Sequence, residues 1–232
     1  MTKNFSILEA LSFGWLTTKK NFWFFARIIL VFLTLFLLSQ ISSWLSSKYE
    51  LPPLVDSFLF LGDIFLFLAV TVFNIGVFKI SLDFVFGREA DFAELFRNYK
   101  FFFPYFFAQI LYGLILFVGF LLLVIPAFIW GIKYGFFGYF VIDRKMGPIS
   151  ALKASAKLTQ GIKLKLFLLI LIFSLIMLAG ALIFGIGLLV ALPVVWLGFA
   201  FVYKKLLEQT EGFNNSSNAS LSSSGESPDL RA

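Results

Sequence analysis

The chain of 232 residues has no cysteine and no histidine. Those two absences exclude disulfides, Cys or His metal sites, thiol nucleophiles and any Ser-His-Asp triad. Charge is also scarce, with only 14% of residues Asp, Glu, Lys or Arg. A soluble domain carries roughly a quarter, so this chain has too little charge to clothe a surface in water. Clustered acids for a phosphate-bound Mg²⁺ are missing too, apart from Glu89, Asp91 and Glu94. Those three alternate with Arg88 and Arg97, as a solvated helix would. No enzyme chemistry is expected, and no cofactor.

What is abundant is apolar: 60% of residues are hydrophobic and 34 are Phe. Long greasy runs of about 20 residues are the mark of helices that cross a bilayer. Short alternating segments, the mark of a membrane β-barrel, do not occur. The expected class is all-α, a polytopic transmembrane helical bundle.

The first run is Phe22–Gln40, closed by the polar stretch SSWLSSKYELPP; the second is Phe58–Phe78, continuing to Phe86. Two longer runs, Phe101–Ile142 and Leu166–Tyr203, exceed what one helix needs. At 1.5 Å per residue either one, left unbroken, would be roughly 57 Å or more long, against a hydrocarbon core of about 30 Å. Split near Ile125–Pro126 and Gly185–Gly187, each becomes a hairpin. The sequence therefore predicts six spans as three hairpins, over a membrane domain of residues 1–208. The Ser/Asn-rich stretch 209–232 reads as a disordered cytoplasmic tail. Its Asn-x-Ser sequons at Asn214, Asn215 and Asn218 carry no glycosylation meaning on that side.

Lysine and arginine set the orientation. Lys19, Lys20, Arg88, Arg97, Lys100, Arg144, Lys145, Lys153, Lys157, Lys163, Lys165, Lys204 and Lys205 all fall on one side of the six-span plan, while the opposite loops hold only Lys48. By the positive-inside rule both termini are cytoplasmic, and the protein is multi-pass in the cell (inner) membrane. The net charge of +6 thus belongs to a membrane surface, not to a nucleic-acid partner. No cleavable signal peptide is expected, because NFSILEALSFGWLTT is amphipathic.

Before each hairpin lies a short amphipathic segment: SILEALSFGWLTTKKN, GREADFAELFRNYK and GPISALKASAKLTQG. In the third, Pro148 follows Gly147 at the first helical position. Ala151, Leu152, Ser155 and Leu158 form one stripe, with Lys153 and Lys157 on another side. Such segments are expected on the inner leaflet, with Lys19, Lys20, Lys153 and Lys157 near anionic headgroups. The first and third align without gaps at an offset of 141, pairing Gly14 with Ser155 and Thr18 with Thr159. At an offset of 67, Pro126 meets Pro193 and Gly131 meets Gly198. An internal repeat of one short helix plus one hairpin is the reading.

On the stretches ALSFGWLTTKKN, LLLVIPAFIWGIKYGFFGYFVIDRKMGPISALKASAKLTQG and GIGLLVALPVVWLGFAFVYKKL, the chain resembles a bacterial membrane-protein superfamily. It includes YciC-like proteins and the membrane domain of some glycerophosphodiester phosphodiesterases. The resemblance covers about residues 5–208, with Ala127 standing where that family usually has Gly after the Pro. It implies a fold and no reaction.

A few polar residues lie inside the apolar runs, where ionisable groups mark function by default. Lys133 can snorkel toward the outer headgroups, beside Trp130 and Phe137. It can equally pair with Asp63 or serve transport. Gly131, Gly135 and Gly138 make a small-residue stripe for close helix approach. Asn74 and Gln109 are candidates for interhelical hydrogen bonds or for lining a path. Pro193, a turn inside the last span, is the candidate for a mid-membrane break. Two functions fit: a structural or accessory protein that docks a membrane partner or a second copy, or a small transporter or lipid-handling protein.

Overall fold

A computed structural model describes residues 3–49, 52–182 and 185–224, with side-chain surroundings through residue 211. Ten α-helices follow one another: α1 Ile7–Lys20, α2 Phe22–Lys48, α3 Pro53–Val85, α4 Glu94–Arg97, α5 Phe102–Leu122, α6 Val124–Tyr134, α7 Phe137–Asp143, α8 Pro148–Leu158, α9 Lys163–Leu182 and α10 Leu188–Ser224. Among the described residues there is no strand. Six stretches are long and apolar enough to cross a membrane: Phe22–Lys48, Pro53–Val85, Glu94–Leu122, Val124–Asp143, Lys163–Leu182 and Leu188–Glu211. They pair in sequence as three hairpins.

The turns are where the sequence puts them, each with a local cause. Pro53 opens α3, its fixed φ suiting the first helical position. Gly87 closes the helix in the left-handed region at φ 69°. The Arg88 N–H then reaches back to the Asp83 carbonyl at 2.8 Å, so the exit is a Schellman turn. Leu123 alone, extended, separates α5 from α6. Gly185, at φ 74°, starts the turn into α10. Pro193 does not break its helix: α10 runs through it. As the sixth residue of α10, Pro193 lies past the four N–H groups without partners, and it forgoes the bond that an N–H there would give the Leu189 carbonyl.

Packing is concentrated at one end. In α2 the buried residues are Phe25, Ile28 and Ile29. In α3 every buried residue lies at Thr71 or later. The core there joins α3, α7, α8, α10 and α1 through Ile75, Leu82, Val141, Leu152, Tyr203 and Ala10. The other end of the first hairpin projects as a two-helix arm with no buried residue between 30 and 49 or between 52 and 70.

The short helices have a consistent place. α1 lies antiparallel along α10: Asn4 and Gln209 exchange hydrogen bonds, the Phe13 and Phe201 rings stack at 5.2 Å, and Gly14 sits flush on the Val194 backbone. α4 presses on α3, where a Cβ at Gly76 would stand 2.3 Å from the Leu95 Cα. α8 folds back along α6 and α7. Each short helix therefore packs on the second helix of the preceding hairpin, with α1 closing the circle onto the last.

For α8 this arrangement differs from the expectation of an apolar side laid on lipid. The stripe Ala151, Leu152, Ser155 and Leu158 is the buried face of α8, but its cover is protein. Lys153, Lys157, Lys19 and Lys20 stay exposed. Past residue 208, Gln209 accepts from the Asn4 N–H, Glu211 pairs with Arg144, and α10 continues to Ser224. Elongating a formed helix adds one hydrogen bond for each residue fixed, which carries it into polar sequence. Residues 225–232 lie outside the described part.

Candidate functional site

The fourth span is two helices. α6 ends at Tyr134, Gly135 and Phe136 form a turn, and α7 starts at Phe137. Inside a bilayer each backbone polar group freed by such an interruption needs a partner, since water is absent. α8 supplies them. The Phe136 N–H donates to Ser155 Oγ at 3.1 Å, and Ser155 Oγ donates to the Lys133 carbonyl at 3.0 Å. Thr159 Oγ1 reaches the same carbonyl at 3.1 Å. Ser155 and Thr159 are fully buried, one turn apart on α8, and together cap both faces of the interruption.

Above this interruption is an apolar, half-open crevice of about 600 Å³. Its walls come from the second and third hairpins and from α3: Phe78, Tyr112, Phe128, Gly131, Trp196 and Phe199. Gly135 and Phe136 border it too. The hydroxyl of Tyr112 is turned aside, donating to the Gly131 carbonyl at 3.2 Å, and that of Tyr139 donates to the Trp196 carbonyl at 3.4 Å. The cavity therefore offers shape and little polarity. Its size falls in the ~300–1,000 Å³ range of ligand sites.

The glycine stripe has three separate duties. Gly131 leaves room toward Leu116 and Tyr112, Gly135 forms the interruption, and Gly138 admits the Phe78 ring, which a Cβ would meet at 2.9 Å.

The intramembrane polar residues do not converge on this crevice. Lys133 holds its ammonium 4.9 Å from the Tyr134 ring. Among the described residues no ion pair joins it to Asp63, whose Oδ1 is buried without a partner. Asn74 gives its amide to the Val70 carbonyl of its own helix at 3.0 Å, so it bridges no neighbour. Gln109 has an unpartnered buried Oε1. None of the four lines the cavity.

Sequence reasoning missed two features. The helix interruption was signalled by Gly131, Gly135 and Gly138 followed by a Ser and a Thr four apart, a pattern of hydroxyls that can cap freed backbone. The second is the partnering of the charges at the helix ends, of which Asp83 is buried and Asp143 half-buried. Asp83 is 2% exposed and is paired with Lys79 and, at 3.7 Å, with Arg88. Asp143 accepts from the Tyr203 hydroxyl at 3.0 Å and lies 3.4 Å from Arg144. The Tyr203–Asp143 bond links α10 to α7, while the Asp83 pairs stay on α3 and its exit. Among the described residues no cluster of acidic groups is arranged to hold a metal ion.

The chain is similar to uncharacterised proteins of Mycobacterium tuberculosis (Rv2560) and Mycobacterium bovis (Mb2590), 32% identical over 167 residues in each case. The alignment covers 69% of this chain and 49% of each relative. The chain thus spans about half the length of the curated relatives it matches. No family model matches it, and no solved structure does. Fold and composition together make the chain a multi-pass helical membrane protein.

Proposed function

We propose that this protein handles lipid within the cell membrane, holding one acyl chain in the crevice between its second and third hairpins. The observation that carries the reading is an apolar cavity of about 600 Å³ whose polar neighbours are already satisfied. In a membrane the hydrophobic effect gives no reason to fill such a space, since lipid tails are as apolar as Leu. Retention then rests on packing contacts, individually about 0.1–0.2 kcal/mol and numerous for a chain enclosed on several sides. We assign no reaction and no cofactor to it. Both termini are cytoplasmic in this reading, and the circular packing of short helix on preceding hairpin supports three same-way-round repeats.

Native mass spectrometry of the protein purified in mild detergent tests the reading. Wild type should retain one lipid per chain. Gly131→Leu, placed where the nearest side-chain atoms stand 3.6 Å and 3.7 Å from a Cβ, fills the crevice without striking backbone and should lose it. Equal lipid content in both would refute the proposal.

A second reading, an accessory protein that docks a partner or a second copy, draws on the projecting arm. Leu38, Ile41, Trp44, Phe58 and Phe65 are all exposed there. A stoichiometric protein co-purifying in the same experiment, with no lipid, favours it.

A further inference from the structure

We infer that a second site, sharing no lining residue with the crevice, binds an anionic phosphate monoester at the basic end. It is a cavity of about 530 Å³ lined by Asn4, Ser6, Glu9, Lys165, Lys205 and Gln209. No residue lines both cavities. The site is assembled from three distant pieces of chain: the entry to α1, the first turn of α9 and the middle of α10. Sequence patterning could not bring them together.

The donors are fixed from behind. Lys165 bonds the Asn4 side-chain carbonyl, and its ammonium stands 5.1 Å from the Phe5 ring. Lys205 stands 5.9 Å from the Phe201 ring. Asn4 and Gln209 are locked by their reciprocal pair, the Asn4 N–H donating to Gln209 Oε1 at 2.9 Å. Among the described residues neither lysine has a salt bridge, although Lys204 next door pairs with Glu208 at 3.9 Å.

More positive charge is gathered close by. Lys3 donates to the last carbonyls of α8, those of Lys157 at 2.9 Å and Leu158 at 3.1 Å. Burial first, and the charge of Lys157 second, hold the Lys3 ammonium below its ordinary range. Lys165 and Lys205 share the cavity wall, where Glu9 is the carboxylate. Like charges brought together without counter-charges raise the free energy of the fold. An anion with several acceptor oxygens offsets that repulsion and accepts charge-assisted bonds from both lysines. The opening turn of α1 at Ile7 and Leu8 borders the same space, where the helix dipole also favours an anion.

The rim is apolar. Leu8 and Leu164 are each 74% exposed, one lining the cavity and the other beside Lys165. Lysines next to exposed leucines suit an amphiphile with a phosphate head. A lipid headgroup and free phosphate share this chemistry, and the experiment separates them.

The full chain in neutral detergent is titrated with short-chain phosphatidic acid, with phosphatidylcholine of the same chain length and with inorganic phosphate. Binding is read by native mass spectrometry and by the shift in unfolding temperature. Phosphatidic acid should bind, and the Lys165→Gln/Lys205→Gln double variant should weaken it by about tenfold or more, the value of one to two charge-assisted bonds. Glu9→Gln, on an exposed side chain, should tighten binding, and this arm decides the matter if the lysine variant fails to fold. A shift with inorganic phosphate alone assigns the site to free phosphate, and a shift with the lipid alone assigns it to a headgroup. Equal binding of phosphatidylcholine and phosphatidic acid, or affinity unchanged in the variants, would overturn the inference.

Discussion

Replacing Ser155 by Ala tests how the interrupted span is held. The hydroxyl accepts from the Phe136 N–H at 3.1 Å and donates to the Lys133 carbonyl at 3.0 Å. Loss of Oγ leaves the amide buried without a partner, at a cost of about 1–3 kcal/mol. The carbonyl is not orphaned, because Thr159 still reaches it at 3.1 Å. Thr159→Val alone should therefore cost less than about 1 kcal/mol, the net value of one redundant hydrogen bond. The two together strip both groups, and the double variant should exceed the sum of the singles by about 0.5–3 kcal/mol. For a chain of this length each kcal/mol lowers the unfolding midpoint by roughly 2–4 °C. The assay pairs thermal unfolding in detergent with hydrogen exchange over residues 133–140. Every 1.36 kcal/mol of lost protection speeds exchange about tenfold. Should S155A melt and exchange as wild type does, the hydroxyl does not hold the interruption and the capping argument fails.

Two further perturbations probe the packing and the topology. Gly76→Ala pushes a Cβ to within 2.3 Å of the Leu95 backbone and should lower stability by about 1–3 kcal/mol, as overpacking does. Gly113→Ala meets nothing within 4 Å and should be neutral or slightly stabilising in the same thermal assay. Because the chain has no native cysteine, single cysteines at the exposed Ser47 and Ser150 report sidedness cleanly. An impermeant maleimide on intact cells should label Ser47→Cys and spare Ser150→Cys, and the reverse pattern would invert the proposed orientation.

The stripe on α8 shows how far sequence reading reaches. Period 3.6 identified Ala151, Leu152, Ser155 and Leu158 as one face, and those are its buried residues. Small, weakly apolar side chains suit a lipid surface or a close helix equally, so the pattern could not say which covers them. Lys133 gives the converse lesson. Its position in a greasy run marked it for function, yet the side chain rests by Tyr134 and its backbone carbonyl is what the neighbouring helix uses. A residue code describes the side chain and is silent about which main-chain groups a bend will release.

Composition and periodicity by themselves determined that the chain is helical, that it has six apolar spans and where the hairpins turn. Those properties depend on local hydropathy, on helix length against bilayer thickness and on the backbone freedom of single residues such as Gly87 and Gly185. Tertiary structure alone decided that each short helix docks on the preceding hairpin and that the fourth span is broken and capped. It also brought Asn4, Lys165, Lys205 and Gln209 to one wall. Such choices turn on contacts between separate elements, 19 positions apart at Phe136–Ser155 and 205 at Asn4–Gln209, and such a contact leaves no periodic trace in either of the segments it joins.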